Sequence, residues 1–89
     1  MKMDPEATRD VTKRLRRIEG QIGGVIRMLE DGRDCSDIVT QLAAASRALD
    51  RAGFTLMSAG MRQCMAAVAR GEAEPMSPEQ MQKLFLSLA

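Results

Sequence analysis

Residues 34–70 read DCSDIVTQLAAASRALDRAGFTLMSAGMRQCMAAVAR, a stretch without proline that carries a helical apolar pattern from end to end. It contains the chain's two cysteines, Cys35 and Cys64. They lie 29 positions apart, which at 1.5 Å of rise per residue is roughly 43 Å along a continuous helix. Within one chain they cannot meet. Twenty-nine steps of about 100° nevertheless bring them back to within roughly 20° of the same helix face. A second copy lying antiparallel sets Cys35 of one chain against Cys64 of the other, and the pair reads as an intersubunit site. The midpoint falls between Leu49 and Asp50, where a dimer two-fold is expected to cross.

Upstream, Asp4-Pro5-Glu6 supplies an N-cap, a proline at the first helical position and an acid in the first turn. Val11, Leu15, Ile18, Ile22, Val25 and Leu29 follow as a heptad stripe that stops before Asp31-Gly32. Gly20, Gly23 and Gly24 weaken this first helix by about 1 kcal/mol each, which suits close approach of another backbone. Asp34 caps the second helix, whose stripe runs through Ile38, Leu42, Ala45, Leu49, Ala52 and Leu56. A second row of Phe54, Met57, Met61, Cys64 and Val68 makes that helix apolar on two sectors. Arg70-Gly71 is a stop signal, and Ser77-Pro78-Glu79-Gln80 is a capping box opening a short third helix with Met81, Leu84, Phe85 and Leu88. The pattern predicts one all-α domain over 1–89, with two long helices and one short, paired with copies of itself.

Composition agrees. The 89 residues are 45% hydrophobic but only 2% aromatic, with no Trp, Tyr or His, so the core must be Leu, Ile, Val, Met and Ala. No signal peptide and no membrane span is evident, which places the chain in the cytoplasm. Two cysteines in a reducing compartment suit reactive or metal-binding roles better than a structural disulfide. Enzymatic chemistry has little to stand on, because the chain lacks histidine, a paired-carboxylate pattern and a Gly-rich phosphate loop.

Two clusters carry functional chemistry. Cys35 opens the second helix, where exposed N–H groups and the dipole favour an anionic sulfur, while Cys64 further along is the natural resolving partner. The plain alternative is that both are small buried hydrophobes. Arg9, Lys13, Arg14, Arg16 and Arg17, opposed only by Asp10, give helix one a local charge of +4 within a chain whose net charge is +1. Arg47 and Arg51, one turn apart, extend a surface suited to phosphate, although so short a run is more often a solvated face. The Met57, Met61 and Met65 ladder reads as core filling before it reads as a soft-metal site.

The segments RLRRIEGQI from Arg14 and EDGRDCSDI from Glu30, with Gln41-Leu42 and Ala48-Leu-Asp-Arg-Ala52 downstream, resemble the CsoR/RcnR family of bacterial transcriptional repressors. The resemblance covers nearly the whole chain. It implies an antiparallel four-helix-bundle dimer, a disc-shaped homotetramer, and binding to double-stranded operator DNA without a helix-turn-helix. It also implies DNA contacts at Arg14 and Arg51, with Lys13, Arg16, Arg17 and Arg47 as further candidates, and an inducer site shared between protomers. Copper-sensing members pair a Cys at the start of helix two with a His and a Cys four apart on the partner's helix two. Cys35 and Cys64 match the cysteines, and the His position is Gly60, so the S₂N copper site is incomplete. Two thiols without the imidazole are similar to the persulfide-sensing CstR branch, in which di- or polysulfide bridges release the DNA. The expectation is therefore a repressor induced by a persulfide or polysulfide, with no cofactor. The alternatives are a Cu(I)-sensing repressor using Cys35 and Cys64, and a helical scaffold with inert cysteines.

Overall fold

The computed structural model covers residues 1–89 and consists of α1 (Pro5–Glu30), α2 (Cys35–Ala69) and α3 (Pro78–Leu88). No strand is present, and no helix is long and apolar enough to cross a membrane. The punctuation read from the sequence is where the helices break. At the end of α1, Gly32 takes φ +67° while Arg33 N–H donates to Met28 O and Gly32 N–H to Leu29 O. At the end of α2, Gly71 takes φ +79° with Glu72 N–H on Ala67 O and Gly71 N–H on Val68 O. Both are Schellman closures, which need a left-handed residue and so select glycine. Asp34 caps α2 through Ser36 N–H, and the Ser77–Gln80 capping box forms in both directions at the start of α3.

α1 and α2 form an antiparallel hairpin, and α3 folds back along the C-terminal half of α2. Packing divides each predicted stripe in two. Val11, Ile18 and Val25 of α1 are buried, as are Ala45 and Ala52 of α2, each set recurring every seven residues. The alternate members, Leu15, Ile22, Leu29, Leu42, Leu49 and Leu56, remain exposed, with Leu49 half accessible at 50%. Alanines on α2 allow the two helices to approach closely, and the larger leucines are left on the outer face. Only eight residues of 89 are buried, too small a core to hold a chain of this length with much margin. Covering the outer leucines further is worth on the order of 1 kcal/mol each.

The second apolar row of α2 meets α3. Phe54 and Phe85 stack edge-to-face at 5.7 Å between ring centres. Leu88 reaches Gly53 so closely that a Cβ there would stand 2.8 Å from its Cδ2. Glycine therefore does admit close approach, but at Gly53. Within this chain no backbone approaches the three glycines of α1: a Cβ at Gly20 would meet nothing within 4 Å, and at Gly23 and Gly24 only the side chain of Arg27 on the same helix.

Ala52 is 2% exposed at the α1–α2 contact. Ala52→Leu should destabilise the protein by about 1–3 kcal/mol through overpacking, read as a lower urea midpoint, whereas Leu42→Ala on the exposed face should barely shift the unfolding of a dilute monomer.

Candidate functional site

Both cysteines are free. Cys35 is the first residue of α2 and is exposed, while Cys64, near the other end, is 6% exposed. α2 is one uninterrupted helix of 35 residues, so the two sulfurs are separated by roughly 43 Å of helix, as the sequence predicts. The helix start that carries Cys35 is already occupied by an anion: the Asp34 carboxylate accepts from both Ser36 N–H and Ser36 Oγ–H. Cys35 thus shares the dipole end with a capping carboxylate, and its distinguishing property is access.

Cys64 lies at the junction of three segments. On one side its S–H donates to Met1 Sδ at 3.7 Å. On the other it opens onto a mostly apolar groove of about 460 Å³ lined by Met61, Met65, Met76 and Met81 among others. Met61 and Met65, expected as core filling, are exposed at the edge of this groove. Gly60, one turn before Cys64, is buried and offers no ligand atom. Within one chain no three His, Cys, Asp or Glu side chains converge, so a metal held by these cysteines needs donors from a second copy or from methionine.

The basic residues separate into two groups. Arg14 of α1 and Arg51 of α2 line one groove together with Arg62, Phe54, Thr55 and Ser58. Arg9, Lys13 and Arg16 line another groove along α1 with Met3, Pro5, Thr8 and Thr12. Arg17 and Arg47 are exposed and line neither. Arg62 is the residue that sequence reasoning misses. It stands eleven positions after Arg51, three turns along the same face, a spacing present in the sequence. Arg14 pairs with Asp10 at 3.5 Å on an open surface, worth about 0–1 kcal/mol and readily exchanged for phosphate. Arg70, at the end of α2, is engaged by Glu72 at 2.9 Å, and that guanidinium holds the Glu72 carboxyl below its ordinary range.

Residues 7–87 match the family model described as metal-sensitive transcriptional repressor. This chain belongs to that family. It is a family of transcriptional repressors, not of enzymes. The copper-sensing transcriptional repressor RicR of Mycobacterium tuberculosis is 42% identical over 60 residues, covering 66% of this chain and 62% of RicR. The copper-sensing repressor CsoR of Bacillus subtilis is 37% identical over 65 residues, covering 72% of this chain and 64% of CsoR. The chain thus spans a little under two thirds of the length of these curated relatives. Among solved structures, the nickel-responsive regulator InrS is similar with TM-score 0.77 at 27% identity, covering 91% of each chain. CsoR from Geobacillus thermodenitrificans with Cu(I) is similar with TM-score 0.73 at 36% identity, covering 99% of this chain and 88% of that one.

These relatives correct one expectation, that of a chain with no cofactor. Its relatives are copper-sensing repressors and a similar structure holds Cu(I), which points to Cu(I) or another metal as a bound group. The physical reason is that a missing imidazole is not decisive, because two thiolates alone already form a soft donor set.

Mild oxidation provides a check on the geometry of α2. It should give no intrachain Cys35–Cys64 disulfide by peptide mapping, since a disulfide requires Cα atoms within about 7 Å.

Proposed function

We propose that this protein is a Cu(I)-responsive repressor, cytoplasmic, working as a homotetramer of antiparallel dimers on double-stranded operator DNA. The observation that carries the reading is the placement of two thiols near opposite ends of one rigid helix, close to a common face, in a chain whose relatives sense copper. An antiparallel pairing of α2 across the exposed row of Leu42, Leu49 and Leu56 sets Cys35 of each copy beside Cys64 of the other. Two such sites then arise per dimer, one at each end. Cu(I) prefers soft thiolate and thioether donors, and the chain offers these in place of imidazole. Each thiol that binds metal releases its proton to solvent.

Arg14, Arg51 and Arg62 are proposed as the principal phosphate contacts because they share one groove across both long helices. Lys13 and Arg16, with Arg9, form a second basic strip, and Arg17 and Arg47 add peripheral charge. Ligation at both ends of a dimer constrains how its helices lie against each other, and so changes the spacing of these strips between protomers. The coupling is the difference in DNA-binding free energy between the two arrangements.

A second reading is supported by one specific observation, that Gly60 and a chain without histidine leave two thiols and no imidazole. Here an organic persulfide RSSH transfers its outer sulfur to the Cys35 thiolate, releasing RS⁻. Cys64 of the other copy then attacks the inner sulfur of that persulfide, forming the interchain disulfide and releasing HS⁻.

Stoichiometric Cu(I) should weaken binding to the promoter fragment upstream of the protein's own gene by about 5- to 150-fold, measured by fluorescence anisotropy. Cys35→Ser and Cys64→Ser should bind that DNA like wild type and lose the response. Release by a persulfide donor with no response to Cu(I) would favour the second reading. Arg14→Ala, Arg51→Ala and Arg62→Ala should weaken binding and lower the slope of log K against log salt by about 0.9 for each phosphate no longer neutralised. Unchanged slopes in all three would return this face to solvent.

A further inference from the structure

The segment ahead of α1 is fastened to the far end of α2 by a single side chain. Gln63 Nε2 donates to the Lys2 carbonyl at 2.6 Å, and Gln63 Oε1 accepts from Asp4 N–H at 3.0 Å. Asp4, whose sequence position marks it as an N-cap, makes no side-chain cap bond. Its backbone serves this clamp. Gln63 adjoins Cys64, so the clamp delivers Met1 to the thiol, with Sδ 3.7 Å from Sγ. The same residue fills the space over Gly60, where the Met1 methyl carbon lies 3.7 Å from the position a Cβ would take. Met1 is 48% exposed, so it is not core filling. It is an anchored residue whose sulfur meets the buried thiol and whose methyl carbon covers Gly60.

We propose that Met1 is a thioether ligand of the Cu(I) site, completing a three-sulfur set with Cys64 of its own chain and Cys35 of a second copy. Gln63 is the residue that positions it. The proposal rests on the Cu(I) reading above and names the donor that replaces the absent imidazole. A thioether is neutral and soft, which suits Cu(I). Before metal binds, the Met1 sulfur is engaged as acceptor of the Cys64 S–H. When the thiol gives up its proton, that hydrogen bond breaks and the sulfur lone pair is available at the same location. Met61 and Met65, on the groove at the other side of Cys64, are the competing thioethers, and neither is held by a comparable clamp.

The test is copper X-ray absorption on the selenomethionine-labelled Cu(I) complex, with Cu(I) affinity measured by chelator competition. Met1→Leu is expressed behind the same short cleavable leader as its Met1 control. Leucine keeps the cover over Cys64 and removes the lone pair. Wild type should show a copper–selenium path that disappears in Met1→Leu and persists in Met61→Leu and Met65→Leu. Gln63→Ala should weaken Cu(I) about 10- to 100-fold, the usual effect of losing a residue that orients a ligand, and Met1→Leu by a similar factor or more. Copper bound by two sulfurs with no selenium path, or a path that disappears only in Met61→Leu or Met65→Leu, overturns the proposal while leaving the Cu(I) reading intact. Failure of wild type to bind Cu(I) overturns both.

Discussion

The uninterrupted backbone ladder of α2 is the constraint on which the rest of the molecule depends. From Cys35 to Ala69 no proline breaks the hydrogen bonds, so the helix is a rigid rod and every functional group on it has a fixed axial position. That rod separates the two cysteines by most of its length. It also presents one sector to α1 and another to α3, and leaves a row of leucines uncovered. Cys35 stands exposed at one end of it and Cys64 buried near the other.

Small residues decide which sector faces which neighbour. Ala45 and Ala52 bring α1 in close, and Gly53 admits Leu88 of α3. The larger leucines at the alternate positions are thereby kept outside. The division follows from packing density: close-packed helices need shallow surfaces where they cross, and the bulk displaced from the crossing stays on the outer face.

Charge shows the same separation between sum and arrangement. A net charge of +1 conceals two basic strips, one formed within α1 and one that exists only because α2 lies antiparallel to it and brings Arg51 and Arg62 to Arg14. Glu72 occupies Arg70, and Asp10 makes a weak exposed pair with Arg14. Phosphate oxygens exchange readily with a pair of the latter kind, since little desolvation opposes it.

Helix boundaries were legible in the sequence because they depend on local chemistry. Asp34, Gly32, Gly71 and the Ser77–Gln80 box each act within a turn of themselves, and each is found at the end it marks. The distance between Cys35 and Cys64 was legible too, since a continuous helix converts sequence separation directly into length. What surrounds each group was not. That Met1 meets Cys64, that Gln63 reaches back to Lys2 and Asp4, and that Arg62 joins Arg14 and Arg51 all depend on how α1 docks on α2. Periodicity reports which face of a helix is apolar. It does not report the axial register between two helices, and contacts between residues some 60 positions apart are set by that register, which side-chain packing over the whole interface alone decides.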